Sequence, residues 1–129
     1  MRPLRVAVAV ALSAAALAIP ASIAAAPARP SVTITLASHY YYPNPIYLAG
    51  GVPVRLIFQN RAGKTHDFTA PQFFRSARII AGHAPNGKVT LAKSGSAVVV
   101  LVPTRGTYKV HCGQPFHTML GMTARIVVS

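Results

Sequence analysis

The stretch Cys112-Gly-Gln-Pro-Phe-His117-Thr-Met-Leu-Gly-Met122 constrains this 129-residue chain more than any other. It places a thiol, an imidazole and a thioether on one short span near the C-terminus. Cysteine supplies a soft thiolate, histidine a borderline nitrogen and methionine a weak, soft sulfur, and that donor set suits copper held in turn as Cu(I) and Cu(II). Gly113, Pro115 and Gly121 permit the tight turns that let one loop between two strands bring all three to a single ion. The set leaves a fourth position to be filled from elsewhere.

Taken singly, each residue has a structural reading, since a lone cysteine is often a small buried hydrophobe and methionine often fills a core. The three together, at this spacing and in a chain that reads as exported, favour a metal site. Export is written at the N-terminus, where Met-Arg-Pro-Leu-Arg precedes an apolar run from Val6 to Ile19, a break at Pro20 and small residues through Ala28. This is the pattern of a secretory signal peptide over residues 1–28, with cleavage expected after Ala24 or Ala28; Pro27 disfavours a cut after Ala26. A retained anchor would need about 20 apolar residues, and Pro20 with its alanine-rich tail argues against one. The later run Ala97 to Val102 is strand-sized and bounded by Gly95 and Pro103. A periplasmic or secreted product with no stable membrane insertion is expected.

The remainder, 29–129, is about 100 residues and suits one domain, expected to be monomeric, with no repeat or linker to suggest a second. Its single cysteine has no partner for an internal disulfide, so ligation best accounts for a thiol in an oxidising compartment. Without Arg2 and Arg5, eleven Lys and Arg remain against Asp67, the only acid in the chain, for a net charge of +10. The cations are dispersed and form no run. They would attract acidic redox proteins, anionic membranes or nucleic acid through long-range, salt-sensitive forces. Export, and the lack of any recognition-helix, zinc-finger or RNA-binding pattern, set nucleic acid aside.

Along the chain the period is two. Val32, Ile34 and Leu36 alternate with Thr33, Thr35 and Ala37 as a first strand. Tyr40, Tyr41 and Tyr42 are expected across a sheet edge before the turn at Pro43-Asn44-Pro45. Ile46 and Leu48 resume a strand, and Val52 to Asn60 is another, with Val54, Leu56 and Phe58 on one side. Arg75 to Ala81 is expected to make a short helical turn. Lys88 to Leu91 and Gly95 to Val102 are further strands, and in Thr107 to Cys112 the residues Tyr108, Val110 and Cys112 share a face that His111 does not. Met122 to Val128 closes the sheet. Seven or eight short strands with Gly/Pro turns and little helical pattern predict an all-β, antiparallel Greek-key sandwich.

The loop from Asn60 ends in His66-Asp67-Phe68, well upstream of the cysteine loop. His66 is the expected fourth ligand, because copper beside a cysteine calls for a second imidazole and two loops at one end of a sandwich can meet. His39 reads as a partly exposed strand residue. His83, among turn residues, reads as a solvated histidine with at most an auxiliary surface copper site.

These residues resemble the cupredoxins, the small blue-copper proteins. The resemblance spans the mature chain and rests on Thr-His66-Asp-Phe, on Gly106-Thr-Tyr108-Lys-Val-His-Cys112, and on the Cys-x4-His-x4-Met spacing, which is similar to that of rusticyanin and auracyanin. It implies an eight-stranded Greek-key sandwich holding one type 1 copper, with His66, Cys112 and His117 in a trigonal plane and Met122 as the weak axial ligand. Met119 would be a non-ligand near the surface. It also implies one-electron transfer between redox proteins through an apolar face of Pro115, Phe116, Met119 and Leu120 around His117. Better-known members often carry Asn or Ser after the first histidine. Here it is Asp67, expected to accept backbone hydrogen bonds from the Cys112 loop and to lower the reduction potential.

An electron carrier meeting partners with acidic docking surfaces is therefore expected. A periplasmic copper carrier without redox cycling is the alternative, weakened by the lack of a Met- or His-rich tract, and a metal-free scaffold module is a third. An enzyme is not expected, because protein side chains fill the metal positions and no catalytic acid pair is apparent.

Overall fold

The structure, a computed structural model, describes residues 3–23, 28–114 and 121–129. Regular secondary structure begins at β1 (Ser31–Leu36) and continues through β2 (Tyr41–Tyr42), β3 (Ile46–Leu48), β4 (Val54–Asn60) and β5 (His66–Thr69). After α1 (Pro71–Ser76) come β6 (Arg78–Ala81), a 3-10 turn over Pro85–Gly87, β7 (Lys88–Leu91), β8 (Ser96–Val102), β9 (Gly106–His111) and β10 (Thr123–Val128). One sheet runs β2-β1-β4-β8-β6 and the other β3-β10-β9-β5-β7. The all-β sandwich expected from the period-two pattern is the fold.

Its details differ from that expectation in four places. The described residues form ten strands, because the short edge strands β2 and β6 are added to those the alternation reveals. The sheets are mixed: β1 runs parallel to β4, and β3 parallel to β10, pairings between segments that no local pattern links. The helix lies earlier than Arg75 to Ala81. It starts at Pro71, whose fixed φ suits a first turn, while Ile79 and Ile80 favour the extended chain of β6. His66 opens a strand where a loop was expected.

Alternation decides what lies inside. β4 buries Val54, Leu56 and Phe58 against an exposed Arg55, and β9 buries Val110 between the exposed Lys109 and His111. Phe68 lies at the centre, with ring centroids 5.5 Å from Tyr41, 5.0 Å from Phe58 and 6.2 Å from Phe74. Each fully buried Phe, Leu or Ile contributes about 1.5–3 kcal/mol through removal from water. The approach to β5 is pinned by Asn60, whose Nδ2 donates to the carbonyls of Lys64 (2.7 Å) and Leu91 (3.1 Å) and whose Oδ1 accepts from the Ala62 N–H at 3.0 Å. That clasp fixes where His66 enters the sheet. α1 is held against the 3-10 turn by the Ala70 N–H donating to Gly87 O at 2.9 Å. A Cβ on Gly87 would come within 2.3 Å of Pro71 Cα, so only glycine allows this approach.

Candidate metal centre

β5 and the end of β9 meet at one pole of the sandwich. Period two turns His66 and Phe68 inward from β5, and Cys112, one residue past β9, follows Val110 to the same side. His66 is 1% exposed and Cys112 and Met122 are fully buried, so these donors lie inside the protein and not on its surface. Cys112 Sγ is 3.8 Å from His66 Nδ1. Metal–sulfur and metal–nitrogen bonds of about 2.3 and 2.0 Å let one ion bridge donors up to about 4.3 Å apart. The pair therefore fits a common ion.

Met122 arrives by a backbone device. The Cys112 N–H donates to Met122 O at 3.2 Å, closing the neck of the loop that joins β9 to β10, and both side chains belong to the same buried cluster. His117, with Pro115, Phe116, Met119 and Leu120, lies outside the described residues. Among the described residues no three His, Cys, Asp or Glu side chains gather around one point. That follows from the donor set, which has a thioether in one position and His117 in another. His39 and His83 are both exposed.

The surroundings of the thiol are polar where it matters. The Asp67 N–H points at Cys112 Sγ, 3.5 Å away. The Asp67 carboxylate, fully buried, accepts from the Gly113 N–H at 2.8 Å, from Gln114 Nε2 at 3.0 Å and from the Thr69 hydroxyl at 2.6 Å. It ties the start of the ligand loop to β5, as expected of Asp67 from the sequence. Burial alone would raise its pKa. The Gly113 N–H, the Thr69 hydroxyl, the Gln114 amide and the Lys88 charge outweigh that and hold it below the ordinary carboxylate value. A Cβ on Gly113 would stand 3.2 Å from Asp67 Oδ2, so glycine there allows the close approach.

Tyr41, Thr69 and Gln114 join the site without having been expected there from the sequence. Tyr41 lies in the edge strand β2, as expected of the tyrosines, but unlike Tyr40 and Tyr42 beside it, it is buried. The Tyr41 hydroxyl donates to Asp67 O at 2.5 Å. Burial pushes its phenol far above the ordinary value, with the nearby Cys112 and Asp67 charges adding to the shift, so it stays a neutral donor. For Thr69 a signal existed: it follows Asp67 by two in a strand and must share its face.

A β-sandwich with a buried cysteine, histidine and methionine at one pole defines a class of small metal-binding domain. The profile of the cupredoxin-like domain matches residues 6–128, and the chain belongs to that family. The donor set and the family together support one type 1 copper ion. Among solved structures, the dithionite-reduced auracyanin of the photosynthetic bacterium Roseiflexus castenholzii is similar at 17% identity and TM-score 0.59, over 79% of this chain and 98% of that one. Auracyanin B is similar at 20% identity and TM-score 0.55, over 83% of this chain and 93% of its own. A multicopper oxidase from Campylobacter jejuni is similar at 11% identity and TM-score 0.60, but the match spans 82% of this chain and only 31% of that larger protein. No curated protein sequence matches the chain.

Proposed function

We propose that this chain is an exported carrier of single electrons, with His66, Cys112, His117 and Met122 holding one copper ion. The observation that carries the reading is the buried Cys112–His66 pair at 3.8 Å, in a loop whose neck is closed on Met122. Copper, when bound, supplies one-electron exchange between Cu(I) and Cu(II).

The chain's own residues supply the rest. His66 lies in a strand paired with β7, and the backbone of Cys112 is tied to Met122 O, which restrains both donors. The Asp67 N–H donates to Cys112 Sγ, and its carboxylate tethers Gly113 and Gln114. A permanent negative charge one residue from His66 favours Cu(II) and lowers the potential. Tyr41 fixes the Asp67 carbonyl from below. Similarity to auracyanin over nearly the whole of that protein supports a self-contained carrier more than one piece of an oxidase.

Export is supported by the N-terminal run: residues 3–23 have no regular secondary structure, and Leu4, Leu12, Leu17 and Ile23 are exposed. Such apolar surface suits a leader that is removed. Among the described residues no helix is long and apolar enough to cross a membrane. Partners are redox proteins, favoured when acidic by the net positive charge.

Repeated reduction and reoxidation of the copper-loaded protein, followed by visible absorption, tests the reading. A carrier bleaches and recovers over many cycles with copper retained. Release of copper on reduction would favour the delivery role instead.

A further inference from the structure

The outer face of the β9–β10 ladder carries charge that the metal site does not use. Lys109 and Arg125 stand directly opposite one another, and His111 and Thr123 form the next pair on the same face. All four are exposed. Like charges directly opposite across a ladder destabilise it, and the chain has no acidic side chain to relieve them. Asp67 is its only acid, and it is fully buried against Gly113, Gln114 and Thr69. A cost in stability retained on an exposed face points to an external anion.

The face is also shaped. Lys109, His111, Thr123 and Arg125, with Asn44 and Pro45 as a wall, line an open groove of about 880 Å³. That is the scale of a site for several side-chain groups, not for one ion. The wall is anchored, since Asn44 Nδ2 donates to Thr123 O at 3.2 Å and Asn44 Oδ1 accepts from the Arg125 N–H at 3.3 Å. Beyond Arg125 on the same face lie Val127 and its neighbour Tyr47, which is 69% exposed and supplies an aromatic flank of the kind interfaces favour. The groove also touches the metal pole, because His111 precedes Cys112 and Thr123 follows Met122.

We infer that this groove is a docking site for an acidic segment of a redox partner protein, which would sit side-on along β9 and β10. The inference rests on the electron-carrier reading for the identity of the partner. Arg125 offers a planar fork for a carboxylate and Lys109 a point charge beside it. A walled groove admits a peptide segment, whereas an anionic bilayer presents a flat surface that Asn44 and Pro45 would hold away from the floor.

The test titrates an octaglutamate peptide into the Cu(I)-loaded protein at low salt, followed by ¹H–¹⁵N NMR. The largest shifts are expected at the amides of Asn44, Lys109, His111, Thr123 and Arg125. The double variant Lys109→Ser/Arg125→Ser should weaken binding roughly tenfold or more. The variant Arg55→Ser/Arg78→Ser removes the same charge from exposed positions on the other sheet and should weaken it less than about threefold. Equal weakening in the two variants, or shifts centred elsewhere, would overturn the docking site. Bleaching of the Cu(II) form by dithionite, a strong one-electron reductant, is followed separately. Failure to bleach overturns the carrier reading while the peptide titration still decides the groove; normal bleaching with no effect of the groove variant overturns the groove alone.

Discussion

The two faces of the sheet β3-β10-β9-β5-β7 carry different chemistry on the same strands. Inward stand His66, Phe68, Val110 and Ile126, all buried, with Cys112 beside them; outward stand Asp67, Thr69, Lys109, His111 and Arg125. Alternation at period two accomplishes the separation. The inner face is closed by packing, so its groups have one arrangement. The outer face divides again: Asp67 is locked by three donors, while Lys109 and Arg125 meet no acid at all. Alternation thus keeps the buried donors His66 and Cys112 apart from the charged groups Asp67, Lys109 and Arg125 borne by the same sheet.

Substitutions that cross this division should differ in size by face. The largest effect is expected inside: Phe68→Ala removes the ring that packs on Tyr41, Phe58 and Phe74 and should cost about 3–5 kcal/mol in denaturant unfolding of the apo-protein. A loss below about 1 kcal/mol would mean the inner face is not the packed element described.

Asp67→Asn tests the locked outer group. An amide nitrogen would face the Gln114 or Gly113 donor, and the cost should be about 1–3 kcal/mol. The copper potential should also rise, because a negative charge is removed; voltammetry showing no rise would contradict the tuning role. pH gives a second handle on the same group. Its folded pKa lies below the ordinary value of 3.8, so its ionised form stabilises the fold fully above that value, and the stabilisation is lost as pH falls through the lower folded value. Apo wild type should therefore lose stability below about pH 4, and Asp67→Asn should lose less over that range.

Tyr41→Phe leaves the packing and deletes one donor to Asp67 O, for a cost of about 1 kcal/mol in the same unfolding experiment. The smallest effect is expected on the open part of the outer face. Lys109→Ser should change stability by less than about 0.5 kcal/mol, and in the stabilising direction, since it relieves the repulsion from Arg125. A clear destabilisation would show that the pair is supported by contacts other than those described.

How far these features were legible in the sequence follows the same division. β4, β8, β9 and β10 are plain from alternation or from a bounded apolar run, and their spans match the expected ones within a residue or two. β2 and β6 are not, because two- and four-residue edge strands take their pairing from a neighbour: Tyr41 and Tyr42 from β1, and Arg78 to Ala81 from β8 across a register shift. The parallel pairing of β1 with β4 is a long-range choice that no window of residues contains. Within the site, Cys112, His66 and Met122 are identified by donor chemistry. Tyr41, Gly113 and Gln114 matter through geometry alone, since a tyrosine between two exposed tyrosines carries no mark of being the buried one.

The proposed electron-carrier role requires a thiolate bound to copper at Cys112. Its most direct test is the visible absorption and electron paramagnetic resonance spectrum of the purified protein with one equivalent of Cu(II), beside that of Cys112→Ala. An intense thiolate-to-copper band in the wild type, absent from the variant, is the result expected. A colourless wild type, or a band that survives in Cys112→Ala, would contradict the site.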